Sequence, residues 1–304
     1  MTDTQSRKVG LVLQGGGGNG AYEVGAVQVL AQAGIRWDFL AGTSVGAINV
    51  GHLAQYKKED QGVAAETLVE LWEGISNDRV YKKWYGGWLW LLPALWKTGI
   101  YTTQPLRELL ESQYDPQLVK ESGVEVSVSA VNLNTGTRRE WREDDMSVSA
   151  LMASCAFPLA FPPEIIDGHA FTDDGIRETT PLSRAIDAGC TEIYVVLTET
   201  LRVNGHMSPN PRIWDLGLRT LAVMTDEISN NDIQICQMYN RLLAAGAGPE
   251  GMRHIDLKII KPQAPLGDPL DFGNTKALTN MEVGRGDAHE ALKGWLSSTH
   301  QSSH

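Results

Sequence analysis

The sequence predicts an α/β fold with a largely parallel central sheet and helices on both faces, and three observations carry that prediction. Short apolar runs of strand length alternate with longer helical stretches along the chain. A glycine-rich loop, Gly15-Gly16-Gly17-Gly18-Asn19-Gly20, stands at the first strand-to-helix junction, and a tight turn, Gly42-Thr43-Ser44-Val45-Gly46, stands at the next. The 304 residues are 42% apolar and 21% charged, enough for a substantial core. No repeat, low-complexity tract or long linker divides them. The expected organisation is one domain over residues 8–296, with tails at 1–7 and 297–304.

Each element has a local reason. Residues 8–14, KVGLVLQ, read as a buried strand entering the glycine loop. A helix from Gly20 to Ala33 follows, with Ala21, Val24, Val27 and Leu30 on one stripe and Gly34 as its stop. A strand over Trp37–Ala41 leads into the serine turn, and a second helix, Val45–Tyr56, leaves it. Residues 124–131 (VEVSVSAV) and 192–198 (EIYVVLT) read as internal strands, 137–142 (TRREWR) as a more exposed one, and 254–260 (HIDLKII) as a late one. Long helices are expected near 212–245 and 274–296, and Asp167-Gly168 as a hairpin turn.

The bulk numbers exclude several functions. A net charge of −11 argues against nucleic acid as a partner, because phosphate contact needs a basic face. The apolar run Val9–Leu13 is too short for a signal peptide, and no uncharged stretch reaches the roughly 18 residues of a membrane span, so a cytoplasmic location is expected. Cys155, Cys190 and Cys236 form neither a zinc pattern nor a disulfide framework.

Two motifs bear the chemistry. The glycine loop offers unhindered backbone N–H groups at a strand-to-helix junction, a place suited to an anion. Gly15-x-Gly17-x-x-Gly20 also satisfies the dinucleotide-binding pattern, and Asp38 falls about twenty residues on, where a ribose-binding acid would stand. Against a nucleotide site, the second strand ends in Gly42-x-Ser44-x-Gly46, the G-x-S-x-G form that holds a serine hydroxyl out on a sharp turn. The N-terminal end of the following helix stabilises negative charge developing there. None of the seven histidines sits in a recognisable catalytic setting, so a base other than histidine is implied.

These segments resemble the patatin-like phospholipases. LVLQGGGGNGAYEVGAVQVL is similar to that family's oxyanion segment, AGTSVGAINV to its nucleophile elbow, and ASCAFPLAFPPEIIDGHAFTDDGIRETTPL (153–182) to the segment with its catalytic aspartate. LKIIKPQAPLGDPLDF resembles its last strand and loop. The resemblance implies a patatin-like three-layer fold and a lipid acyl hydrolase with a Ser–Asp dyad, working on phospholipid or another fatty-acyl ester without cofactor or metal. It makes Ser44 the nucleophile and Asp173 the base, because Asp173 stands eight residues before Pro181. It assigns the oxyanion hole to the amides of Gly16, Gly17 and Gly18, and Gly15, Gly20, Gly42, Gly46, Asp174 and Gly175 to the motifs.

Two positions depart from the family. Asn19 stands where the loop usually carries Arg or Lys, and Asp174 stands where glycine usually follows the catalytic Asp. Asp174 either raises the pKa of Asp173 by like-charge repulsion or points to solvent from a turn. Those departures support the rival reading of a lipid-binding or regulatory protein that kept the fold and lost the chemistry. Transfer to a carrier is a third reading, disfavoured because Thr43 replaces the His that precedes the serine in acyltransferase relatives.

Residues 84–96, WYGGWLWLLPALW, hold four of the nine tryptophans (Trp84, Trp88, Trp90, Trp96), carry no charge and are flanked by Lys82, Lys83 and Lys97. The segment reads as a lid or a membrane-interface contact, with an oligomer contact or core insertion as the other readings.

Overall fold

The computed structural model describes residues 7–84, 97–199, 213–247 and 253–301. β1 (Val9–Leu13) leads through the glycine loop to α1 (Gly20–Gln32), and β2 (Phe39–Gly42) through the serine turn to α2 (Val45–Leu53). Next come α3 (Gln61–Glu73), the single turn α4 (Asn77–Val80), the two-residue strands β3 (Lys82–Lys83) and β4 (Tyr101–Thr102), α5 (Gln104–Gln113) and α6 (Pro116–Ser122). β5 (Glu125–Asn132), β6 (Arg138–Arg142), α7 (Val148–Ser154) and the hairpin β7 (Glu164–Ile166)–β8 (His169–Asp173) follow. The chain closes with α8 (Leu182–Asp187), β9 (Glu192–Val196), α9 (Ile213–Ala244), β10 (Asp256–Ile260) and α10 (Asn274–Gln301).

Eight strands form the main sheet in the order β10-β9-β1-β2-β5-β8-β7, with β6 paired to β5 off this path. The five strands from β10 to β5 are parallel, and β6, β7 and β8 add antiparallel pairs. Period-two alternation sorts side chains to the two faces. Leu11, Leu13, Leu40, Tyr194 and Val196 join the core beneath α1, α2, α3 and α10. Val12, Phe39, Ala41, Ile193 and Val195 join a second core beneath α8 and α9. The result is the expected three-layer arrangement of helices, sheet and helices.

β5 has a special role. β2 and β6 both pair with Ser127 and Val128, so they lie on opposite edges of β5. β8 and β6 both pair with Ala130 and Val131, so β8 shares its edge with β2. β2 ends at Gly42, opposite Val128, while β8 arrives from the other direction and ends at Asp173, opposite Ala130. The two strand ends therefore meet head-on, two residues or about 7 Å apart along β5. That meeting delivers the serine turn and Asp173 to one place.

The hairpin turn expected at Asp167-Gly168 joins β7 to β8, with φ of 52° and 77°. α1 and α10 cross very closely: a Cβ on Gly25 would collide with the Met281 carbonyl, and one on Gly284 with that of Tyr22. This crossing fixes the start of α10 above the glycine loop.

Candidate active site

The glycine loop takes a path that L side chains avoid, with φ of 88°, 113° and 60° at Gly15, Gly16 and Gly17. It also lies directly against the serine turn. A Cβ on Gly15 would collide with the Thr43 carbonyl and lie 3.1 Å from the Ser44 Cβ. Gly42 has no room for a Cβ against Gly46, nor Gly20 against Val45, and a Cβ on Gly46 would stand 3.0 Å from the Gly15 amide. Ser44 itself is held at φ 55°, ψ −131°, a strained conformation of the sort that costs a non-glycine residue roughly 1–3 kcal/mol. Its N–H donates to Ser154 Oγ at 3.1 Å, which helps hold the turn.

Asp173 is buried beside it. One carboxylate oxygen, Oδ1, accepts the Gly175 N–H at 2.8 Å, while Oδ2 completes no hydrogen bond of strict geometry. Burial pushes the Asp173 carboxyl up to about 7. The Gly175 amide and the nearby Ser44 hydroxyl pull it back, and the charge of Asp174 adds the smallest upward push. Asp174 does not face solvent. It is fully buried, and its Oδ2 accepts from Arg184 Nη2 at 2.7 Å and from the Ser129 hydroxyl. Arg184 also grips Glu178, with Nε and Nη2 at 2.9 and 2.8 Å from Oε2. The extra carboxylate is thus absorbed into a buried ion network that anchors the segment carrying Asp173.

The amides of the glycine loop are unequally free. The Gly15 N–H donates to Glu23 Oε1 at 2.6 Å. Gly18 departs from the expectation: its N–H donates to the Pro269 carbonyl at 2.7 Å, because the 267–271 segment packs directly on the loop. The N–H groups of Gly16 and Gly17 donate to no described residue. Beneath the loop, Glu23 Oε2 accepts from Asn49 Nδ2 at 2.8 Å, and Asn49 Oδ1 accepts from Trp72 Nε1 at 2.9 Å. Burial raises the Glu23 carboxyl to about 8, opposed by its Gly15 and Asn49 donors.

An apolar cavity opens at Ser44 and Gly17. Val45 and Ile48 of α2, Trp72 of α3 and Leu106, Leu109 and Leu110 of α5 line it. A second cavity, sharing Leu106 and Cys155 with the first, is lined by Trp84. Trp84 is half-buried, donates from Nε1 to the Gly99 carbonyl at 3.1 Å and lies under Lys97 Nζ at 4.6 Å. Trp88, Trp90 and Trp96 lie outside the described residues.

Asp38 cannot serve a nucleotide ribose at the glycine loop. It precedes β2, at the opposite end of that strand from the loop, and accepts from the Val9 N–H at 2.9 Å and from Lys58. His52 is half-buried, lowered to about 4 by loss of solvation, and bonded to Thr67 at 2.9 Å. Among the described residues, no group of three or more His, Cys, Asp or Glu side chains could hold a metal ion. No described helix is long and apolar enough to cross a membrane.

Sequence reasoning missed Glu23, Asn49, Ser154, Glu178 and Arg184. Only Glu23 carried a signal, as a carboxylate on an otherwise small and apolar helix start.

The family profile described as Patatin-like phospholipase matches residues 11–186. A patatin-like phospholipase domain-containing protein of Caenorhabditis elegans is 26% identical over 190 residues, 60% of this chain and 13% of that protein. Lysophospholipase nte1 of Aspergillus terreus is 26% identical over 192 residues, 62% of this chain and 12% of its own length. An uncharacterized NTE family protein of Mycobacterium bovis is 22% identical over 185 residues, 59% of this chain and 46% of that protein. The chain therefore spans a small part of the worm and fungal relatives and under half of the mycobacterial one. Among solved structures, VipD of Legionella pneumophila aligns with a TM-score of 0.40 at 11% identity, over 95% of this chain and 67% of its own.

Proposed function

Because this chain belongs to the patatin-like phospholipase family, we propose that it is a serine acyl hydrolase cleaving carboxylic esters of lipids through a Ser44–Asp173 dyad. The observation that carries the reading is the head-on meeting of β2 and β8, which sets a strained, half-buried serine against a buried aspartate with one oxygen open. Asp173 accepts the Ser44 proton as the hydroxyl attacks the ester carbonyl. The tetrahedral oxyanion sits on the amides of Gly16 and Gly17, and losing one such donor typically costs roughly 2.7–4 kcal/mol in barrier. The alcohol or lysolipid leaves with a proton returned by Asp173, which then activates water against the acyl-enzyme. The apolar cavity at Ser44 takes the acyl chain, and its lining favours a fatty-acyl ester over a polar one. The fungal relative's name makes lysophospholipids the first substrates to try.

Hydrolysis of a soluble p-nitrophenyl ester, followed by lysophospholipid, tests this in wild type, Ser44→Ala and Asp173→Asn. Loss of turnover in both variants, with melting temperatures near wild type, supports the dyad. Full activity in Ser44→Ala ends it.

A further inference from the structure

Three backbone carbonyls converge on the glycine loop from the segment before α10. Pro269 O takes the Gly18 amide, and Gly267 O takes Asn19 Nδ2 at 3.4 Å. A Cβ on Gly17 would collide with Pro269 O, and one on Gly18 with Asp271 O, so this wall touches the loop with no side chain between. Carbonyl oxygens are the negative ends of peptide dipoles, and a wall of them beside an oxyanion site opposes the charge that forms there.

Lys276 meets that wall with a positive charge. Lys276, in the first turn of α10, donates from Nζ to Asp268 O and, at 3.2 Å, to Asp271 O. Its Nζ lies 3.4 Å from where a Cβ on Gly18 would stand. Lys276 is part-buried, and the α1–α10 glycine crossing fixes the helix that carries it.

On the Ser44 mechanism proposed above, we infer that Lys276 is a positioning residue of the oxyanion hole, pinning residues 267–271 to the glycine loop and offsetting their carbonyl dipoles. Its bonds keep Pro269 O on the Gly18 amide, which fixes the plane from which Gly16 and Gly17 present theirs. Its charge offsets a repulsion that grows only as the oxyanion forms. Removing it therefore weakens the transition state more than the neutral ground-state ester, which means kcat rather than KM.

The test compares wild type, Lys276→Met, Lys276→Arg and Ser44→Ala on p-nitrophenyl butyrate, alongside amide hydrogen exchange of peptides covering the glycine loop. Lys276→Met should lower kcat by about tenfold or more with KM near wild type. Its glycine-loop amides should exchange about tenfold faster. Lys276→Arg, which keeps charge and donors, should restore most of both. Wild-type kcat in Lys276→Met overturns the inference. So does a loss that merely tracks a lower melting temperature and is not rescued by Arg. If Ser44→Ala hydrolyses as fast as wild type, the dyad reading fails instead, and exchange still decides the brace: faster exchange upholds it, unchanged exchange overturns it.

Discussion

The burial of Asp173 dictates a pH profile. A free aspartate would be ionised and ready as a base throughout the neutral range, whereas this one is pushed up to about 7 by burial. On the proposed mechanism it must be ionised before Ser44 attacks, so kcat/KM should rise with pH along a single-proton limb with its midpoint near 7. One proton then fixes the magnitudes: activity at pH 5 is about a hundredth of the plateau and at pH 6 about a tenth. The assay is p-nitrophenyl ester hydrolysis between pH 5 and 9, read at an isosbestic wavelength, with folding checked by far-UV circular dichroism at each pH. Asp174 adds the smallest upward push, so Asp174→Asn should move the midpoint down by only a fraction of a unit. A limb centred near 4, or a profile flat from pH 5 to 9, would refute the argument, because it would mean that Asp173 feels water as a free carboxylate does.

Two further predictions follow from the buried charges. Arg184→Met leaves Asp174 buried without its cation and Glu178 with Arg138 alone, and breaking a buried pair of this sort costs about 3–5 kcal/mol in urea unfolding; an unchanged midpoint would show that the network is not what anchors the Asp173 segment. Glu23 has its folded pKa raised to about 8, above the 4.5 of an exposed glutamate, so its stabilising contribution is full below pH 4.5 and is lost as pH rises through 8. Glu23→Gln should accordingly flatten the decline in unfolding free energy between pH 5 and 9, while losing about 1 kcal/mol at low pH because the new amide faces the Asn49 donor. A variant with the wild-type pH slope would exclude Glu23 as the group responsible.

The sequence and the structure agree where the signal is local. The strands around 9–13, 39–42, 125–132, 192–196 and 256–260 are short apolar runs whose pattern needs no partner to be seen, and the two glycine motifs force their own turns. The smaller elements were hidden: α3, α5, α6, α7 and α8 gave no pattern that reasoning took up, and the β7–β8 hairpin showed only its turn. The site's supports were hidden for a different reason. Glu23 under Gly15, Arg184 between Asp174 and Glu178, and the Pro269 carbonyl on Gly18 are pairings that exist only once the sheet has brought distant segments together. That is also why three oxyanion amides were expected where the fold leaves two free. Asp174 carries the same lesson: a carboxylate next to a catalytic one reads as a perturbation or a solvent-facing turn until its buried arginine partner is seen.

The most direct test of the central claim is to treat the protein with a fluorophosphonate, digest it, and locate the adduct by mass spectrometry. A single covalent adduct is expected on the peptide carrying Ser44, none in Ser44→Ala, and markedly slower labelling in Asp173→Asn. Ester hydrolysis that persists while Ser44 stays unlabelled, or an adduct on another serine, would contradict it.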